Sequence, residues 1–216
     1  KGIVNVATGP GSGAGNALVK HPLVKKVSFT GSTEVGRAIQ KLAADRMKAV
    51  NLECGGKNAI IVFADADFER AAQAAAISAF VNAGQLCVSC SRLLVQRSVA
   101  AKFTKLLQEK VKRITVGDPR DAKTLVGPMI TRAQYESTLA AIKEGLAEGC
   151  TVLCGGGRLK LRGKLTGGFW VQPTILADVK PGMKVHDQEI FGPVLSISRF
   201  RDEAEAIAIF EEDLAA

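Results

Sequence analysis

The chain has 216 residues, a length that suits one large domain or two small ones. Hydrophobic residues make up 47% and charged residues 23%, the balance of a globular protein with a real core, and no apolar run is long enough to span a bilayer. The formal charge of +8 is spread over scattered Lys and Arg, and aromatic residues, only 5%, do not interleave with them. That argues against the stacking surface of a nucleic-acid binder and leaves a basic face that attracts an anionic cofactor.

The first residues, KGIVNVATGPG, show neither an initiating Met nor signal-peptide architecture, so the sequence is expected to start inside a longer protein. Residues 3–7, IVNVA, predict a short strand, and GPGSGAG follows as a glycine-rich turn leading into a helix. VKKVSFTGS (24–32) predicts the next strand, and Val35, Ile39 and Leu42 give residues 33–45 helical spacing. AVNLECGG (49–56) predicts another strand. NAIIVF (58–63) is a near-continuous apolar run, as in a strand covered on both faces. The alanine-rich stretch after it predicts a helix capped by Asp65 or Asp67.

RLLVQ (92–96) is the next expected strand, and helices are expected over 98–114 and 131–148, separated by a Gly/Pro loop. TVLC predicts a strand, RLKLRGKLTGG an exposed hairpin or loop, and FWVQPTIL and PVLSISRF further strands. The tail from residue 202 to 216 predicts a helix. Strands alternate with helices, which implies an α/β fold with mainly parallel sheets.

Several residues carry candidate chemistry. Gly9, Gly11 and Gly15 sit in a turn where backbone can approach a phosphate, although the spacing is not that of a G-x-G-x-x-G fingerprint. In FTGSTEVG, Gly31 ends a strand, Ser32 and Thr33 can cap a helix or meet a phosphate oxygen, and Gly36 lies in the first turns. Two such strand-to-helix turns suggest a nucleotide pocket at a sheet edge. Glu53 ends the strand AVNL before two glycines, where a carboxylate can reach a cleft and act as a base. Cys87 stands on a loop broken from the preceding helix by Gly84 and Gln85, among small residues whose N–H groups can approach an oxyanion. Glu189 precedes Ile190, Phe191 and a Gly-Pro turn, a pairing suited to gripping a ribose and covering a ring. His21 and His186 are expected in loops without catalytic partners.

The five cysteines are Cys54, Cys87, Cys90, Cys150 and Cys154, an odd number that points to a reducing compartment, the cytoplasm. CVSC could be a redox pair, and two Cys pairs could bind zinc. The second pair has the wrong internal spacing and lies too far along for a zinc ribbon, and no thioredoxin-like tryptophan flanks the first.

Taken together, FTGSTEVG, LECGGKN, FADADFERA, NAGQLC and QEIFGPV resemble the aldehyde dehydrogenase superfamily, in matching order and spacing, from about residue 2 to about residue 210. Cys54 departs from the leucine common in the family's L-E-L-G-G-K. The resemblance implies that Cys87, the cysteine of G-Q-x-C, attacks an aldehyde carbonyl while Cys90 is a neighbour. It implies that Glu53 activates water, that Gly31 and Ser32 lie near the pyrophosphate of NAD or NADP, and that Glu189 and Phe191 hold the nicotinamide ribose and ring. Residues 1–53 would be the C-terminal part of the cofactor-binding domain and 54–216 a truncated catalytic domain, in a parent that forms homo-oligomers.

Family members are much longer than this chain, beyond one domain of ordinary size. A P-W-N asparagine that completes the oxyanion hole, a lysine for the adenine ribose, and a C-terminal oligomerisation strand have no counterpart here. Loss of one oxyanion donor costs about 10²–10³ in rate, so the isolated chain is expected to be nearly inactive. The competing expectation is a non-catalytic scaffold of the same fold that works by association.

Overall fold

In the computed structural model, residues 2–211 are described. They form two compact units, Lys1–Gly55 and Gly56–Ala216.

The first unit holds two parallel strands, β1 (Lys26–Thr30) and β2 (Ala49–Glu53), with Thr30 opposite Glu53. The helix between them, α2 (Thr33–Ala44), buries Ile39 and Ala43 against Val27, Phe29, Val50 and Leu52. Its start is set by Ser32, whose hydroxyl oxygen accepts the Val35 N–H at 3.3 Å. The strand expected at residues 3–7 is not formed. Ile3, Val4 and Val6 are exposed, and no neighbouring strand among the described residues pairs with their backbone. A strand needs such a partner, since its N–H and C=O groups are otherwise left to water. The expected strand–turn–helix is therefore a turn of wide π winding at Gly11–Gly15 that runs directly into the short α1 (Asn16–Lys20).

The second unit is built on a five-stranded sheet in the order β3-β4-β7-β6-β5. Its strands are β3 (Ala59–Val62), β4 (Arg92–Gln96), β5 (Thr151–Cys154), β6 (Thr174–Ala177) and β7 (Val194–Phe200). All neighbours are parallel except β5 and β6. Alternation along β4 divides the core. Leu93 and Val95 join Phe80, Phe103 and Leu107 from α3 (Phe68–Phe80) and α4 (Ala100–Lys112), while Leu94 joins Phe200 of β7 and Ala206 and Ile209 of α7 (Glu203–Glu211). Each fully buried Phe or Leu there contributes roughly 1.5–3 kcal/mol. Asp67, not Asp65, caps α3, accepting from the Arg70 N–H at 3.2 Å. Thr131 likewise caps α5 (Arg132–Ala147) through the Gln134 N–H at 3.1 Å. The tail helix is seen as α7; residues 212–216 lie outside the described ones.

Three expectations change here. Strand β3 is only half-buried, because it is an edge strand among the described residues. Of FWVQPTIL, only the part after Pro173 joins the ladder; proline has no N–H to donate. Residues 170–172 instead close the 158–168 loop, with Leu159 N–H donating to Trp170 O and Gln172 N–H to Gly157 O. Finally, His186 is not in a loop. It lies on a short helix, α6 (Lys184–Asp187), fully buried, with Nδ1 2.7 Å from the Asp187 carboxylate.

Candidate functional site

In the first unit, Gly31, Ser32, Gly36 and Glu53 gather at the carboxyl ends of β1 and β2. The Gly31 N–H donates to Glu53 O at 3.0 Å, tying the α2 turn to the end of β2. Gly36 faces Cys54: a Cβ there would stand 2.8 Å from its Sγ, so the absent side chain lets helix and strand meet. Among the described residues, no hydrogen bond engages the N–H groups of Thr33 and Glu34 at the start of α2. A helix start with free N–H groups and a small, close-packed turn fits a phosphate. Gly9 stands apart on an exposed segment, packed only against its own turn at Ala14. Glu53 itself is exposed.

In the second unit, Cys87 is exposed on the loop between α3 and β4. The chain leaves α3 through three successive left-handed residues: Asn82, Ala83 and Gly84, with φ of 53°, 57° and 68°. Gly84 packs so closely on Gly192 that a Cβ would lie 2.3 Å from its carbonyl oxygen. Beyond it, the Ser89 N–H donates to Leu86 O at 3.0 Å, forming a turn around Cys87. Ser78 holds the far side, accepting from the Ser89 hydroxyl at 2.7 Å and from the Cys90 N–H at 3.2 Å. The Asn58 amide donates to Cys87 O at 2.7 Å. Among the described residues, nothing hydrogen-bonds to the N–H groups of Cys87 or Val88.

The segment 188–192 lies beside this loop. Lys57 Nζ donates to Gln188 O at 2.8 Å, so the dipeptide Lys57–Asn58 reaches both segments. Burial pushes the Glu189 carboxyl above its ordinary pKa, while a hydrogen bond from the Gly56 backbone and the Lys57 charge draw it back. Phe191 is held at φ 51°, a left-handed conformation rare for a bulky residue. Gln134 secures it by donating to Ile190 O at 2.9 Å and Phe191 O at 3.1 Å. Phe191, Asn82 and Gln85 share a cavity of about 740 Å³ with Pro128, Met129 and Ile130. Such local strain, ~1–3 kcal/mol, persists where surrounding contacts fix it and gathers at ligand sites. Asn58 and Gln134 escaped the sequence reading, because a neutral amide bonding to backbone leaves no motif of its own.

Two of the other thiols, Cys150 and Cys154, are poorer nucleophiles, because burial raises their pKa values. All five cysteines are free, and among the described residues no three His, Cys, Asp or Glu side chains group to hold a metal. No described helix is long and apolar enough to cross a membrane.

The sequence model of the aldehyde dehydrogenase family matches residues 1–213. The chain belongs to the aldehyde dehydrogenase family. Aldehyde dehydrogenase family 2 member C4 of Arabidopsis thaliana is 45% identical over 207 residues, covering 95% of this chain and 40% of that protein. A betaine aldehyde dehydrogenase of Brucella ovis is 44% identical over 207 residues, covering 96% of this chain and 42% of its own length. Among solved structures, the NAD-dependent aldehyde dehydrogenase from Sinorhizobium meliloti superposes with a TM-score of 0.92 at 40% identity, over 96% of this chain and 40% of that one. The betaine aldehyde dehydrogenase from Staphylococcus aureus in complex with NAD+ gives 0.90 at 38% identity, over 94% and 40%. The chain thus spans about 40% of the length of these aldehyde dehydrogenases.

Proposed function

We propose that this chain is the cysteine-bearing part of an NAD(P)-dependent aldehyde dehydrogenase that converts an aldehyde to a carboxylic acid. The observation that carries the reading is Cys87: an exposed thiol on a loop pinned from both sides, with its own N–H and the next one open. As a thiolate, Cys87 adds to the aldehyde carbon. The C–S bond forms as the carbonyl π electrons move to oxygen, and the Cys87 N–H donates to that oxyanion. When bound, the nicotinamide supplies the hydride acceptor. Cys87 then carries the acyl group as a thioester. Glu53 takes a proton from the water that releases the acid, and the thiol returns. Splitting the oxidation into covalent steps lowers each barrier.

Gly31, Ser32 and Gly36, with Gly9, are assigned to the phosphate side of the cofactor, and Glu189 and Phe191 to its nicotinamide riboside. On this reading residues 1–53 close the cofactor-binding domain and 54–216 supply most of the catalytic domain. The parent works as a homo-oligomer in the reducing cytoplasm, and the 216-residue chain alone reduces little NAD. Iodoacetamide labelling read by peptide mass tests the central role. Cys87 labels faster than the other four cysteines, and propanal suppresses that labelling. Equal slow labelling of all five, unaffected by propanal, would overturn the reading in favour of a scaffold.

A further inference from the structure

We propose that Asn58 is a positioning residue for Cys87, fixing the peptide plane on the C-terminal side of the nucleophile. The inference rests on the reading of Cys87 as the aldehyde acceptor.

Three bonds converge on Asn58. Its amide nitrogen donates to Cys87 O at 2.7 Å and to Ser89 O at 3.4 Å, and its backbone carbonyl accepts from the Arg92 N–H at 3.1 Å. Both side-chain partners are carbonyl oxygens, so the NH₂ group must face the loop. Asn58 immediately precedes β3, which is hydrogen-bonded to β4 from Ala59↔Arg92 onward. The amide therefore projects from a rigid sheet onto a loop that has no ladder of its own.

The consequence is directional. No peptide in the described chain is cis, so each carbonyl points opposite to the N–H it is bonded with. The peptide before Cys87 is oriented by Ser89 N–H donating to Leu86 O, which turns the Cys87 N–H outward from the turn. The peptide after Cys87 has one described anchor, the Asn58 amide on Cys87 O, which turns the Val88 N–H the other way. Thiol and oxyanion donors share one backbone atom, Cα of Cys87. Without Asn58 the second plane is free to rotate about the Cα–C bond of Cys87, and the Val88 N–H, the second open donor beside the thiol, loses its fixed bearing relative to the sulfur.

The test uses the chain with propanal as probe and iodoacetamide as reporter, scoring Cys87 and Cys90 separately by peptide mass. Asn58→Ala removes the donor, and Asn58→Asp keeps the shape while removing it. In both, the propanal concentration that half-protects Cys87 is expected to rise about 5–10-fold, the worth of one such bond. Labelling of Cys90 without propanal stays unchanged, and both variants still melt cooperatively within a few degrees of the unsubstituted chain, which separates positioning from loss of fold. If propanal protects the unsubstituted chain and both variants at the same concentration, Asn58 does not position Cys87. If propanal fails to protect Cys87 in the unsubstituted chain, the aldehyde-acceptor reading falls and takes this inference with it.

Discussion

Gly84→Ala tests how tightly the Cys87 loop is wedged against the 188–192 segment. Two costs add at this position. The residue stands at φ +68°, where an L side chain costs ~1–2 kcal/mol. The new Cβ would also lie 2.3 Å from Gly192 O and 2.6 Å from Gly192 C, both backbone atoms that no rotamer change can move. Overpacking of this kind adds about 1–3 kcal/mol. Gly163→Ala isolates the first cost: its φ is +64° and nothing lies within 4 Å of the added carbon. Trp170, the one tryptophan, is 4% exposed and reports unfolding of the second unit by fluorescence. With a urea slope of about 1–3 kcal/mol/M, Gly84→Ala should lower the midpoint by about 1–2 M and Gly163→Ala by less than about 1 M. Equal midpoints for the two variants would refute the close approach of Gly84 to Gly192.

Leu107→Ala, on the buried face of α4, should cost about 2–5 kcal/mol in the same unfolding assay, since Leu107 is fully enclosed. Asp118 accepts two bonds from the Arg120 side chain and one from its backbone, which hold its pKa at about 2. Its stabilising effect is therefore present above the ordinary value of 3.8 and fades as pH falls through about 2; Arg120→Ala should raise the Asp118 pKa in an NMR titration. For Glu189 the sign reverses. Its pKa is raised from 4.5, so the buried charge weakens the fold above the folded value and costs nothing below 4.5. Glu189→Gln should remove that pH dependence, and Lys57→Met should push the Glu189 titration higher still; a lower value in the Lys57 variant would contradict the assigned cause.

Strand and helix identities were legible wherever one local rule dominated. The apolar run in RLLVQ, the aspartates before α3 and the alanine content of α3 each carry their own signal. Residues 3–7 look equally strand-like, but a strand exists only with a neighbour, and pairing is not written in five residues. The short α6 was missed for a related reason: burial of Val185 and His186 by surrounding elements holds it, not its own propensity. At the site, Cys87, Glu53 and the glycines stood out because their chemistry is unusual at a strand or helix end. The supports at Asn58, Ser78 and Gln134 did not, since their partners are main-chain carbonyls and N–H groups that any sequence supplies.

The sheet order also sets a schedule for synthesis. Strand β7 fills the middle of the second unit, yet it is the last of the five to leave the ribosome. Until Val194–Phe200 arrives, β3–β4 and β5–β6 are separate ribbons, each with a bare hydrophobic flank where the keystone belongs. Nascent chains halted before residue 194 should therefore be the ones that chaperones hold and that clump when crowded.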